Sequence, residues 1–87
     1  MEPVTSTADV EPTIRRLLAV QFGEDEEAVR PDTRLEADLG ADSLAVAELL
    51  AGVEDAFGIQ LPESDPELGG LVTVADLVRL VRGRVSR

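Results

Sequence analysis

Residues 42–58 read DSLAVAELLAGVEDAFG and carry the clearest periodic pattern of the chain. At 100° per residue, five apolar side chains of this stretch fall within one narrow arc, which predicts an amphipathic α-helix with a buried face. These core candidates are Val46, Leu49, Leu50, Val53 and Phe57. Asp42 and Ser43 are both favourable N-cap residues, and Gly58 is a favourable residue to end the helix. The opposite stripe should be solvated or contact a partner, and it consists of Leu44, Glu48, Ala51 and Asp55.

The segment upstream of this helix divides into a shorter amphipathic stretch and a long loop. Helical spacing of apolar residues predicts a first helix from about Asp9 to Gln21, and these residues are Val10, Ile14, Leu17 and Leu18. Thr7 or Asp9 would cap its start, and Gly23 would end it. From Gly23 to Asp42 neither a helical nor a strand period persists, so we expect a long loop. The apolar residues that would hold this loop to the core are Val29, Leu35 and Leu39.

The segment downstream contains one weak and one strong helical signal. Pro66 and the pair Gly69-Gly70 leave room for at most one short helical turn. Thr73 and Asp76 have the spacing of a capping box, which predicts the start of a last helix. The core stripe of that helix would be Val74, Leu77, Val78, Val81 and Val85. The chain is therefore predicted to be a small all-α bundle over 9–82, with flexible tails at 1–8 and 83–87.

The composition excludes several classes of function. The 87 residues include 18 acidic and 8 basic residues, a formal charge of −10, with no histidine and no cysteine. Without these two residue types the chain can form neither a Ser-His nor a Cys-His nucleophile pair, and no thiolate or imidazole metal site. No calcium-binding loop can be written in it either. We therefore predict no catalytic residue and no metal site.

The excess of acidic residues also restricts the partners. An acidic chain binds nucleic-acid phosphates poorly and is repelled by anionic membrane surfaces, so basic proteins are the expected partners. The charge is uneven, at −12 for residues 24–67, −1 for 1–23 and +3 for 68–87. The N-terminus has no signal-peptide pattern, and no apolar run approaches the roughly 20 residues of a membrane span. We expect a cytoplasmic monomer.

Ser43 is the only candidate nucleophile with a distinctive setting. It lies in Asp38-Leu39-Gly40-Ala41-Asp42-Ser43-Leu44, where a glycine-containing loop meets the predicted helix. Asp-Ser before an apolar run is also what an ordinary helix start looks like. A serine at a helix start is exposed, and the partial positive charge there favours a phosphate attached to it. Because no histidine can activate the hydroxyl, another enzyme would have to modify it.

This heptapeptide closely resembles the phosphopantetheine attachment motif of acyl carrier proteins. The resemblance extends from about Val10 to Val81. The downstream segments that support it are Glu48-Leu49, Phe57-Gly58-Ile59, Leu61-Pro62 and Thr73-Val74. It implies a four-helix bundle with a short or irregular third helix and a long loop between the first two helices. It also implies that Ser43 carries 4′-phosphopantetheine, which a phosphopantetheinyl transferase attaches from coenzyme A.

The resemblance further implies a carrier that is used by enzymes and is not itself an enzyme. Acyl groups would be held as thioesters on the arm and passed between an acyltransferase, a ketosynthase or other acyl-processing enzymes with basic docking surfaces. The partner-binding candidates that follow are Asp38, Asp42, Leu44, Glu48, Ala51 and Asp55. We therefore expect a stand-alone acyl carrier of fatty-acid or polyketide biosynthesis, antibiotic pathways included.

Two alternatives remain open. A peptidyl or aminoacyl carrier of a nonribosomal peptide pathway would suit the loose region around Pro66, although Ala41 favours an acyl carrier. An unmodified acidic docking module would suit the net charge alone. Ala45 and Gly52 depart from the usual pattern of the family, and neither departure identifies the partner enzymes.

Overall fold

The computed structural model describes residues 6–62 and 64–85, and these form an all-α domain. Its α-helices are α1 (Val10–Phe22), α2 (Ser43–Phe57) and α3 (Val74–Val85). Short 3-10 helices lie at Thr7–Asp9, Glu26–Ala28 and Pro66–Gly70. The predicted all-α class is confirmed for the described residues, but the third segment is a five-residue 3-10 helix, so they contain three α-helices and not four. None of these helices is long and apolar enough to cross a membrane.

Glycines end the first two helices where they were predicted to do so. Gly23 and Gly58 have left-handed backbones, and their amides donate to carbonyls in the last turns of α1 and α2. The start of α1 differs from the prediction. Asp9 occupies the N-cap position, but its side chain makes no capping hydrogen bond, because a 3-10 turn precedes the helix. The end of α1 is therefore better specified by local sequence than its start.

The core lies between α1 and the two helices that pack against it, α2 and α3. The predicted stripes of all three helices contribute to it, although four of their members are only half-buried, namely Leu17, Val46, Leu50 and Val85. Leu80 is also buried, on the side of α3 that faces the Pro66–Gly70 segment. The fully buried large side chains are Val10, Ile14, Leu18, Val29, Leu49, Val53, Val74, Leu77 and Val81.

The long loop between α1 and α2 is held near its start and at its middle. Val29 and Leu35 are buried as predicted, and Leu39 is half-buried. The Arg15 side chain of α1 donates to the Val29 carbonyl over 3.0 Å and to the Glu26 carbonyl over 2.8 Å. Near α3 the loop forms an isolated antiparallel bridge between residues 34 and 73. These contacts determine where the chain enters α2.

The last helix extends beyond the boundary predicted for it. α3 continues to Val85, so residues 83–85 are helical although we expected a tail from 83 onward. The half-buried Arg84 side chain contacts Asp65, and this contact lies outside the reach of any local pattern. Residues 1–5 and 86–87 of the predicted tails lie outside the described residues.

Candidate functional site

A tight turn places the first residue of α2. Gly40 has φ +71°, a left-handed conformation that costs a glycine little and a residue with a Cβ considerably more. Its amide donates to the Glu36 carbonyl over 3.0 Å, and the next amide, of Ala41, donates to the Leu35 carbonyl over 2.9 Å. Ala41 is buried in the core, so the turn is held from inside the protein. The chain then leaves the core at Asp42 and enters the helix.

Ser43 is exposed at the start of α2. The carboxylate of Asp42 accepts a hydrogen bond from the Ala45 amide over 2.8 Å, which confirms Asp42 as the N-cap. Among the described residues, no group accepts from the amides of Ser43 and Leu44 or bonds the Ser43 hydroxyl. An accessible hydroxyl beside two free amides, at the positive end of a 15-residue helix, suits a phosphate ester.

The exposed face of α2 brings four of the predicted partner-binding residues together. Leu44 is 67% exposed next to Ser43, although large apolar side chains are usually more buried. Glu48, Ala51 and Asp55 are exposed along the same stripe. This face, defined by these four residues, is called the α2 face below, and it carries only acidic charges.

The other two predicted residues lie apart from this face. Asp42 is occupied as the N-cap of α2. Asp38 lies in the preceding turn, where its carboxylate accepts from the Arg34 amide over 2.7 Å and pairs with the Arg34 guanidinium at 3.8 Å. One oxygen of the Asp38 carboxylate therefore helps to hold the turn, while the residue remains exposed.

An apolar groove, which sequence reasoning missed, runs beside Ser43. It consists of two adjoining depressions of about 340 and 280 Å³ that share Val46 and Leu68. The larger depression lies between the long loop and the chain around Leu68 and Leu71, with Val46 of α2 beside them, and the smaller one lies between α2 and Leu68. The residues that define this α2 groove are Ser43, Val46, Leu50, Leu61, Leu68 and Leu71. Leu68 is the one apolar side chain between Pro66 and the two glycines, and this isolation is the only sequence signal that could have indicated its role.

Two further contacts hold α2 from its ends, and neither was predicted. The Gln21 side chain, in the last turn of α1, donates to the Ala45 carbonyl over 2.8 Å. The Glu54 carboxylate accepts from the Leu61 amide over 2.9 Å, which holds the chain that leaves α2. The first turn of α2 is thus fixed relative to α1, while its exposed face stays open.

The arrangement provides a modifiable hydroxyl but no catalytic machinery of its own. Within 6–62 and 64–85 there is no group of three or more acidic residues placed to hold a metal ion. The chain has no histidine or cysteine that could act as a base or a thiolate near Ser43. Activation of the hydroxyl therefore has to come from a second protein.

The comparison with known families agrees with this geometry. The family model described as "phosphopantetheine attachment site" matches residues 12–81, from the first turn of α1 to the penultimate turn of α3. The match includes all of α2 and the turn before it. Proteins of this family are modified by a phosphopantetheinyl transferase and used by other enzymes, and they catalyse no reaction themselves. The chain belongs to this family, and it is a carrier protein to which 4′-phosphopantetheine is covalently attached.

Proposed function

We propose that Ser43 is the attachment residue and that the chain is an acyl carrier of fatty-acid or polyketide biosynthesis. The observation that carries this proposal is the free Ser43 hydroxyl at the open start of α2, inside the matched region. The other described serines offer less. Ser6 lies outside the matched region and precedes a 3-10 helix of three residues. Ser64 precedes a 3-10 helix of five residues, so neither serine is next to an α-helix start.

The residues around Ser43 would present it to the transferase. Gly40 and Ala41 hold the turn, and Asp42 fixes the first turn of α2, so that the hydroxyl points outward from a rigid position. The amides of Ser43 and Leu44 would stabilise a phosphate on the serine oxygen through hydrogen bonds and the helix dipole. When bound, 4′-phosphopantetheine supplies a terminal thiol that holds acyl groups as thioesters.

The α2 face would be the docking surface for partner enzymes. Leu44 offers an apolar contact beside the attachment point, and Glu48 and Asp55 offer negative charge farther along the helix. Because these carboxylates are exposed, they would act mainly by raising the rate of encounter with basic surfaces. Asp38 and Asp42 would add to the negative electrostatic potential around Ser43, while their hydrogen bonds hold the turn before α2 and its first residues.

The Pro66–Gly70 segment would stand in place of the third helix of the four-helix bundle that the family resemblance implies. It covers one side of the α2 groove with Leu68, and Leu71 follows directly after it. An apolar cargo tethered at Ser43 would find apolar side chains within reach there, and burial against them is favourable at about 25 cal/mol per Å².

The mass of the intact protein tests the proposal. Incubation with coenzyme A, Mg²⁺ and a broad-specificity transferase should add one phosphopantetheine to the wild type and to Ser64→Ala, and none to Ser43→Ala. Ser64 is the matched control because it is exposed and lies inside the matched region. Modification of Ser43→Ala, or no modification of the wild type, would refute the assignment of Ser43.

The nature of the cargo is a separate question. Ala41 is buried in the turn before Ser43, and a methyl group at this position favours an acyl carrier, since peptidyl carriers more often have glycine there. The short Pro66–Gly70 segment favours the peptidyl alternative. Loading the modified protein with malonyl or aminoacyl donors should give the malonyl product, and exclusive aminoacyl loading would reverse the assignment.

A further inference from the structure

The most buried ion pair among the described residues joins the end of α3 to the segment before it. The Arg84 guanidinium contacts the Asp65 carboxylate, and the two side chains are only 16% and 12% exposed. A second carboxylate, of Glu67, lies 3.6 Å from the same guanidinium, and the Gln60 carbonyl accepts from it over 3.3 Å. The hydrogen bond to Asp65 raises the pKa of Arg84 above its ordinary value, and an arginine side chain is charged in any case.

These contacts are made to a segment with little internal structure. Pro66–Gly70 forms a single 3-10 helix, whose hydrogen bonds are few and poorly aligned compared with those of an α-helix. Two of its amides depend on Asp65, since the Glu67 amide donates to the carboxylate over 2.9 Å and the Leu68 amide donates to the Asp65 carbonyl over 3.1 Å. Arg84 therefore holds the residue that organises the segment.

The two glycines that end this segment are not required by its observed conformation. Neither Gly69 nor Gly70 has a positive φ, and a Cβ built on either would meet no heavy atom within 4 Å. Alanine would fit both positions and would restrict the unfolded chain more. Glycine gives backbone freedom that matters only when the segment leaves this position. The pair therefore marks a place where the chain can bend.

We propose that Arg84 is a positioning residue that holds the Pro66–Gly70 segment beside α2 and thereby keeps the α2 groove narrow. Leu68 of this segment lines both depressions of the groove together with Val46, so movement of the segment about Gly69-Gly70 would widen the groove. The consequence for tethered cargo rests on the function proposed for Ser43. The contact between Arg84 and Asp65 is present in the unmodified chain, so it can be tested independently of that function.

Hydrogen exchange on the unmodified full-length chain tests the contact. Arg84→Gln should accelerate exchange of the Glu67, Leu68 and Leu71 amides about tenfold, the factor that corresponds to one lost hydrogen bond to a charged group. Arg82→Gln is the matched control, because Arg82 is two residues away on the same helix and its one ion pair among the described residues is with Glu11, at 3.9 Å. Equal exchange in Arg84→Gln and the wild type would overturn the proposal.

A second variant and a second readout complete the test. If Arg84→Gln fails to fold, Glu67→Gln removes a mostly exposed partner of the same guanidinium and should still accelerate exchange in this segment alone. After the thiol of phosphopantetheine on Ser43 is loaded with an octanoyl group, hydroxylamine should cleave the thioester, to octanohydroxamate and the free thiol, several-fold faster in Arg84→Gln than in Arg82→Gln. Faster exchange with unchanged cleavage would overturn the role in covering cargo, whereas failure of the wild type to accept phosphopantetheine would refute only the function proposed for Ser43.

Discussion

The starts of α2 and α3 look alike in sequence and differ in the structure. Each combines a hydroxyl side chain with a carboxylate, Ser43 with Asp42 and Thr73 with Asp76. At α3 all of the first four amides have acceptors within the chain, namely the carbonyls of Thr33, Pro31 and Thr73 and the Thr73 hydroxyl. At α2 the amides of Ser43 and Leu44 have none among the described residues.

The difference arises from the path of the long loop. Its middle passes over the start of α3, where its carbonyls accept hydrogen bonds, as in the 2.9 Å hydrogen bond from the Val74 amide to the Thr33 carbonyl. The end of the loop leads directly into α2, so no part of the loop covers the start of this helix. A helix start that is satisfied internally contributes to stability, whereas one that is left open can bind an anion. The open amides at α2 therefore support the proposal that Ser43 is the attachment residue.

The largest expected effect is a loss of stability at the closed helix start. Asp76→Ala should lower the free energy of unfolding by about 2 kcal/mol, since its carboxylate accepts from both the Val72 and Thr73 amides. Thermal unfolding should shift down by about 10 °C. The matched control is Asp55→Ala, which removes an exposed carboxylate and should change the melting temperature little. Equal melting temperatures of Asp76→Ala and Asp55→Ala would contradict the view that the hydrogen bonds at the start of α3 stabilise the fold.

A smaller loss is expected at the open start. Asp42→Ala removes one capping hydrogen bond, to the Ala45 amide, and should cost about 1 kcal/mol. Because the same change frees a third amide and frays the first turn around Ser43, modification by the transferase should also slow. Denaturant unfolding and intact mass against time measure the two effects. A cost as large as that of Asp76→Ala would mean that the two starts are equally closed.

Acid should weaken the closed start. Hydrogen bonds from the Thr73 and Val72 amides lower the pKa of Asp76 below its ordinary value. A carboxylate with a lowered pKa stabilises the fold fully above its unfolded value of about 3.9, and the contribution is lost as the pH falls through the folded value. The stability difference between wild type and Asp76→Ala should therefore narrow from pH 6 toward pH 2, whereas a constant difference would exclude this linkage. Urea unfolding across that range measures it.

The smallest effect should concern encounter with partners. Glu48→Arg or Asp55→Arg on the α2 face should slow association with the transferase several-fold at low salt, because exposed charges act mainly on the rate of encounter. Arg82→Glu on α3 should have much less effect, although it also changes the net charge by two. Association rate constants measured by stopped flow at two salt concentrations would distinguish the variants on the α2 face from the variant on α3. Arg82→Glu makes the net charge more negative, so if it sped association by as large a factor as Glu48→Arg slowed it, only the net charge would matter.

Much of the architecture was predictable because its signals are local. Gly23 and Gly58 end their helices as predicted, and the capping box at Thr73 and Asp76 forms with hydrogen bonds of 2.9 and 3.2 Å. Spacing at 100° per residue also identified most of the core. The third segment was only partly predictable, since Pro66 and Gly69-Gly70 indicated a short turn but the family resemblance suggested a fourth helix.

Some parts of the candidate site were predictable from the sequence and others were not. Ser43 and the α2 face followed from one motif and one helical stripe. The α2 groove did not, because Val46 and Leu68 are 22 positions apart and meet only when the chain folds. The pairing of Arg84 was not predictable either, because its partner Asp65 lies 19 residues away.

Short-range patterns thus determined where the helices of this protein lie, which of their faces are buried, and which serine stands at a helix start. Caps, glycines and apolar spacing act over a few residues, so they can be read directly from the chain. Tertiary structure alone decided which helix start remains open and which arginine holds the groove. Both depend on where distant segments pass, and no local interaction specifies that path.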